Sequence, residues 1–194
     1  MLFPEIKSTV KSEHEELTLF GSPIGYKMLD FWRWGMSNIL SNTERGMLAE
    51  FIVATAVGFD APIRNDWNEY DLTADAGQIK IEVKSAAYIQ SWEQRNISSI
   101  RFSIKKSGCW NSNTNTYSEA KRHSDLYVFC LLNHKEQETL DPLKLEQWEF
   151  YVLETDILNK NCKNQNSISL SALQKLADAI SYNQLRNKIL EYKQ

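Results

Sequence analysis

The run "DLYVFCLL" at residues 125–132 constrains the fold of this chain more than any other stretch. Its apolar residues are continuous but far too few to cross a bilayer. A short run of this kind is typical of a β-strand that is covered on both faces. Because helical patterns precede and follow it along the chain, we predict a mixed α/β fold in which helices flank a central mixed β-sheet.

The length of 194 residues is consistent with one domain built around a single core. We predict a single domain over 1–194, with an N-terminal helical extension at 1–40, a core at 41–155 and C-terminal helices at 156–194. Within the extension, "YKMLDFWRWGMSNIL" at 26–40 places apolar residues at helical spacing. We expect this aromatic stripe to be buried in the core, as such stripes usually are.

Cysteine usage, charge and motifs exclude several classes of protein. Three cysteines without C-x-x-C spacing argue against a disulfide framework and a zinc site. The N-terminal stretch lacks the basic start and apolar segment of a signal peptide, so we expect a cytoplasmic protein with no membrane partner. The formal net charge of −3 argues against a protein that coats nucleic acid. Phosphate-binding loops and nucleophile elbows of known pattern are absent from the sequence.

A predicted helix at 41–58 carries one unexpected charge. Ser41, with Glu44 three residues later, has the pattern of a capping box, and Gly58 is a plausible C-terminal stop. Between Gly46 and Phe59, Glu50 is the only charged residue. An unpaired carboxylate in an apolar setting is expensive, so Glu50 has to be paired, protonated or bound to a cation.

A predicted β-hairpin brings two more carboxylates together. Strands are expected at 67–74 and 78–85, joined by a tight turn at Ala76 and Gly77. This turn places Asp71 directly opposite Glu82, with their Cβ atoms ~5 Å apart. Lys84 follows two residues later on the same face. A slip of one residue would move Asp71 to the other face, so the prediction depends on the turn.

Paired carboxylates beside a lysine have a recognisable chemistry. They repel each other unless a cation lies between them, and oxygen ligands suit Mg²⁺ or Mn²⁺. We therefore predict metal ligation by Asp71 and Glu82, with Glu50 completing the shell directly or through water, and catalysis by these three residues and Lys84. Lys84 would act on the attacking water or on the developing phosphate charge. The alternative is that these are solvated strand charges and that Glu50 forms a salt bridge.

The same residues resemble the motif of the PD-(D/E)XK nuclease superfamily, which has the restriction-endonuclease-like fold. Asp71 and the run Glu82-Val83-Lys84 match the motif, and Glu50 matches the acidic residue of the preceding core helix. The resemblance covers roughly residues 41–155, and Tyr70 stands where the name-giving proline would be. The chain is also similar to uncharacterised bacterial proteins that carry "LDFWRW" and an "RGxLAE" helix. Membership implies a restriction-endonuclease-like core and metal-dependent cleavage of phosphodiester bonds.

A basic stretch at 94–123 predicts how the chain contacts nucleic acid. It carries six basic residues against one acidic residue and follows closely after Lys84. Such side chains are suited to contacts with backbone phosphates. The predicted DNA-binding residues are Arg95, Arg101, Lys105, Lys106, Lys121 and Arg122.

Three functions remain open from the sequence. The first is a metal-dependent, restriction-like endonuclease that cuts double-stranded DNA, as a homodimer if it cuts both strands. The second is a repair nuclease or junction resolvase with the same core. The third is a DNA-binding module that kept the fold without catalysis. Asp71 and Glu82 repel each other, and only an enzyme that holds a metal ion between them gains from this arrangement. The pair therefore favours the two enzymes over the DNA-binding module.

Overall fold

The computed structural model describes residues 3, 6–65, 68–108, 110–111, 116–117 and 119–193. The strands in this part of the chain are β1 Glu16–Leu19, β2 Ser22–Lys27, β3 Leu72–Ala74, β4 Ile79–Ala87, β5 Arg101–Ser103, β6 Trp110–Asn111, β7 Thr116–Tyr117, β8 Leu126–Leu132, β9 Trp148–Glu154 and β10 Ser167–Ser169. The α-helices are α1 Met28–Met36, α2 Asn42–Val57, α3 Thr155–Asn161, α4 Leu170–Leu173 and α5 Tyr182–Leu190. Short 3-10 helices lie at Gln137–Thr139, Leu145–Gln147 and Glu191–Lys193.

A four-stranded sheet of order β3-β4-β8-β9 forms the centre of the fold. Strands β4 and β8 run parallel, whereas β3 pairs with β4 and β9 pairs with β8 in the antiparallel sense. The sheet is therefore mixed. Helices flank it, so the predicted mixed α/β class is confirmed. Three two-stranded sheets, β1-β2, β5-β10 and β6-β7, lie outside it.

Strand β8 is the centre of the core, and all seven of its residues are buried. Val128 and Cys130 pack with residues of α2 and α5 on one face of the sheet. Phe129 and Leu131 pack with residues of β5, α3 and α4 on the other face. Full burial of a large apolar side chain stabilises a fold by about 1.5–3 kcal/mol, so this strand has to lie between two layers. The prediction from its unbroken apolar run is confirmed.

The β3-β4 hairpin has the predicted register. Leu72 pairs with Ile81 and Ala74 with Ile79, which puts Asp71 opposite Glu82. Ala76 and Gly77 both have positive φ, at 53° and 84°, as a type I′ turn requires. The turn is closed by the N–H of Gln78, which donates to the carbonyl of Asp75 at 3.2 Å. Residue 67 of the predicted strand 67–74 lies outside the described residues. Of the remaining residues β3 covers only Leu72–Ala74, because its pairing with β4 begins at residue 72.

The segment 1–40 differs from the predicted helical extension. Residues 16–27 form the exposed hairpin of β1 and β2, and among the described residues of this segment only Met28–Met36 is α-helical. Helix α1 buries no residue, and Trp34 keeps 85% of its surface exposed. The prediction that its aromatic stripe belongs to the core is wrong. The stripe has helical spacing, but both faces of β8 are covered by other elements, so α1 packs against neither.

The C-terminal segment 156–194 contains the predicted helices α4 and α5 and, in addition, the strand β10. Strand β10 pairs with β5 on the second face of the sheet. None of the helices in the described part of the chain combines the length and hydropathy that crossing a bilayer requires.

Candidate active site

Asp71, Glu82 and Lys84 lie close together beside β4, where Asp71 immediately precedes the first residue of β3. The N–H of Asp71 donates to the carbonyl of Ile81 at 3.0 Å, and the Asp71 carboxylate accepts from the N–H of Val83 at 2.7 Å. Glu82 and Lys84 are half-buried on β4, and the Lys84 ammonium donates to the Glu82 carboxylate. The hairpin register and the alternation of β4 thus bring these three side chains together, as the sequence predicts.

Glu50 reaches the same place from α2, where its side chain is only 13% exposed. Arg64 holds it in a two-pronged ion pair, with Nε 2.5 Å from Oε2 and Nη2 3.0 Å from Oε1. The hydrogen bond that Arg64 donates to Glu50 raises the pKa of Arg64, and the nearby charge of Asp71 raises it further. Glu50 is therefore paired, as the alternative interpretation expected, and also close to the Asp71 cluster.

Burial and like charges act together on the Glu82 carboxylate. Burial raises its pKa above the ordinary 4.5, and the charges of Asp71 and Glu50 raise it further. The Lys84 ammonium opposes this shift without cancelling it. Ionised Glu82 is thus stabilised less than it would be in water, so a further cation at this point would be favourable.

The variant Glu82→Gln is expected to gain stability over the parent as the pH rises. The pKa of Glu82 is about 4.5 in the unfolded state and higher in the folded state. The stability that protonated Glu82 contributes is therefore fully present below about pH 4.5 and is lost as the pH rises through the folded-state pKa. Glutamine does not titrate, so the difference in free energy of unfolding, variant minus parent, should increase with pH. Urea unfolding in EDTA at several pH values measures it, with Glu138→Gln as an exposed control. A difference that falls with pH would contradict the assigned electrostatics.

The donor set fits a hard divalent cation. Within the described residues, no three His, Cys, Asp or Glu side chains are grouped so as to hold a metal ion. Mg²⁺ does not need three, because it is usually held by one or two carboxylates, with water and substrate phosphate as its other ligands. Asp71 and Glu82 supply two adjacent carboxylates, and the charge of Asp71 adds to the effect of burial in raising the pKa of Glu82. Glu50 could join them only if its pair with Arg64 opened.

A cavity of about 540 Å³ opens beside this cluster. Glu50, Arg64 and Asp71 line it together with the aromatic rings of Phe51 and Phe59. The two rings lie 5.5 Å apart between centroids. A ligand in this cavity could therefore reach two carboxylates and two aromatic rings at once.

The predicted DNA-binding residues do not behave alike. Five of them are exposed, namely Arg95, Arg101, Lys105, Lys106 and Lys121. Arg122 is only 6% exposed, and its guanidinium donates to the carbonyls of Ile104, Cys162 and Gln165 and to the side chain of Asn159. A buried guanidinium that makes four hydrogen bonds inside the protein cannot contact a phosphate. The prediction that Arg122 binds DNA is therefore wrong, and Arg122 is a structural residue.

Arg64 is the residue of this site that the sequence prediction missed. It is the only Lys or Arg between Arg45 and Lys80. Because Glu50 stands alone in an apolar helix, it needs a cationic partner or a metal ion. Arg64 is the only cationic residue in the loop that follows, and this could have indicated the pairing. Its distance of fourteen residues along the chain concealed the pairing.

The chain matches the model of one known protein family, bacteriophage T4 endonuclease IV, over residues 22–172. The match covers well over half of the chain and includes Glu50, Asp71, Glu82 and Lys84. No curated protein matches the sequence.

Proposed function

The chain belongs to the bacteriophage T4 endonuclease IV family, which is a nuclease family, and we propose that it hydrolyses phosphodiester bonds of DNA with a divalent metal ion. The observation that carries this proposal is the grouping of Asp71, Glu82 and Lys84 at one point of the sheet. It supports assignment to the PD-(D/E)XK superfamily, in which a restriction-like endonuclease is our preferred function.

Each residue of the cluster has a separate role in this proposal. Asp71 and Glu82 hold the cation, Mg²⁺ or Mn²⁺, by the chemistry of their carboxylates. When bound, such an ion lowers the pKa of water and neutralises phosphate charge. Lys84 lies against Glu82, where its ammonium can orient the attacking water or stabilise charge on the phosphate. Glu50 holds Arg64 near Asp71, so that a second cation faces the substrate.

The exposed basic residues support DNA as the substrate. Arg101, Lys105, Lys106 and Lys121 lie on or next to β5 and the bridge between Ser107 and Lys121. Their charges suit contacts to the phosphate backbone, which bind DNA without reading its sequence. We propose double-stranded DNA as the substrate, and a homodimer as the form that cuts both strands.

A DNA-binding module without catalysis is the second candidate. The observation that favours it is that the charges of the cluster are paired within the protein, Glu82 with Lys84 and Glu50 with Arg64. Carboxylates that already have cationic partners need no metal. A repair nuclease or junction resolvase would use the same residues as the restriction-like enzyme and differ only in the DNA form that it cuts.

Supercoiled plasmid is expected to be nicked or linearised in the presence of Mg²⁺ or Mn²⁺ and to stay intact in EDTA. Branched and single-stranded DNA in parallel reactions distinguish the restriction-like enzyme from a resolvase or repair nuclease. Agarose gels measure the products over time. Binding of DNA without cleavage of any form in any metal would make the non-catalytic module the correct function.

A further inference from the structure

Arg45, near the start of α2, is a buried cation that the proposed metal centre does not use. The residue is only 4% exposed. Its Nη1 donates to the carbonyl of Leu40 and to Oε1 of Gln90, both at 3.1 Å, and its Nη2 donates to Oδ1 of Asn42 at 2.6 Å. Its Nε is buried and has no hydrogen-bond partner.

The charge of Arg45 is not balanced. All three of its acceptors are neutral, and within the described residues no Asp or Glu forms an ion pair with it. Burial lowers its pKa, and no nearby carboxylate opposes this shift. A guanidinium has five N–H donors, so the three hydrogen bonds leave two donors unused. A buried charge in this condition is costly unless an anion joins it.

A pocket of about 240 Å³ lies beside Arg45 and could hold that anion. Polar groups of Ser85, Gln90 and Ser99 line it, and the exposed Arg101 brings a second positive charge. The residues that line it include no carboxylate. We call this the Arg45 pocket. Two guanidinium groups with hydroxyl donors are the chemistry that binds a phosphate.

The Arg45 pocket lies at the same edge of the sheet as the carboxylate cluster. Strand β3 pairs with β4 only over Ile79–Ile81, and next to it the Asp71 carboxylate accepts from the N–H of Val83. Beyond that point, no strand of the described residues pairs with β4 on this side. Ser85 is about 10 Å from Glu82 along the strand, at about 3.3 Å per residue. Arg45 is about 7.5 Å from Glu50 along the helix axis, at 1.5 Å per residue. Successive phosphates of one DNA strand lie roughly 6–7 Å apart in space, about twice their 3.4 Å rise along the duplex axis, so these spacings correspond to one or two nucleotides.

We propose that the Arg45 pocket binds one backbone phosphate of the DNA strand, one or two nucleotides from the bond that is cut. This inference rests on the proposed nuclease function, because it takes DNA as the ligand. The bound phosphate gives the buried guanidinium its counter-charge and sets the register of the strand against Asp71 and Glu82. Arg45 is thus a positioning residue.

The salt dependence of DNA binding in EDTA tests the proposal without any cleavage. The variant Arg45→Gln should bind fluorescent DNA more weakly, and its plot of log affinity against log salt should be shallower by about 0.7–0.9, the value of one phosphate contact. Arg186→Gln is the matched control, because Arg186 also donates to a backbone carbonyl at an end of α2, that of Val57. If the slope measured for Arg45→Gln equals that of the parent, the proposal is wrong.

A scan with single methylphosphonates identifies the phosphate. Each such group removes the charge of one phosphate, and we expect one position to weaken binding to the parent but not to Arg45→Gln. If inorganic phosphate stabilises the parent against heat and no position in the scan depends on Arg45, the pocket binds free phosphate, and a backbone phosphate is ruled out. A variant that does not fold is replaced by Arg101→Gln, which alters an exposed residue of the same pocket.

The result for the parent separates this inference from the nuclease proposal. A parent that binds and cuts DNA, with a slope and a methylphosphonate position that Arg45→Gln does not change, overturns the Arg45 pocket and leaves the nuclease proposal standing. A parent that does not bind DNA overturns both. Loss of cleavage in Glu82→Gln, with the slope and the methylphosphonate position of the parent retained, supports both.

Discussion

Lys84→Ala is expected to cut plasmid ~10²–10³-fold more slowly than the parent, because removal of one preorganised charge-stabilising group typically costs that much. Metal binding should survive, since an ammonium cannot ligate a metal. Affinity for Mn²⁺ could even rise, because Lys84 competes with the ion for the Glu82 carboxylate. Plasmid nicking measures the rate, and titration calorimetry measures the affinity.

Lys80→Ala is the matched control for this variant. Lys80 lies on the same face of β4, but its ammonium is 5.3 Å from the ring centroid of Tyr70 and not on Glu82. We expect this control to cut at the parent's rate. A Lys84→Ala protein that cuts as fast as the parent would remove Lys84 from the mechanism and trace the activity to another site.

Arg122→Met is expected to reduce the free energy of unfolding by about 3 kcal/mol. It leaves the carbonyls of Ile104, Cys162 and Gln165 without their donor, and each unsatisfied buried group costs about 1–3 kcal/mol, in part offset by the apolar side chain. For a chain of this size the melting temperature should fall by roughly 6–12 °C. Thermal and urea unfolding followed by circular dichroism measure both quantities.

Lys121→Met controls for the loss of a neighbouring positive charge. Lys121 is exposed, and surface substitutions of this kind usually change stability by less than about 0.5 kcal/mol. For DNA binding we expect the opposite, namely that Lys121→Met weakens the affinity and Arg122→Met does not, because Lys121 can reach a phosphate and Arg122 cannot. If Arg122→Met is as stable as the parent but binds DNA more weakly, Arg122 contacts DNA after all.

Local patterns in the chain were sufficient to predict two features of the fold, the register of the β3-β4 hairpin and the ends of α2. The turn at Ala76 and Gly77, together with the period of two along β4, specified the pairing of Asp71 with Glu82. Ser41 and Gly58 marked the ends of α2. These features depend on neighbours that are close in sequence, because turn conformation, capping and strand alternation are properties of a few successive residues.

The partners of individual charges were decided by the tertiary structure. Glu50 is paired with Arg64, Arg122 is bound by three carbonyls, and Arg45 is buried without a counter-charge. Helix α1 buries none of its residues although their spacing resembles that of a core helix. A residue's periodicity predicts which face of its own element it occupies, whereas its burial and its partners depend on which distant element covers that face.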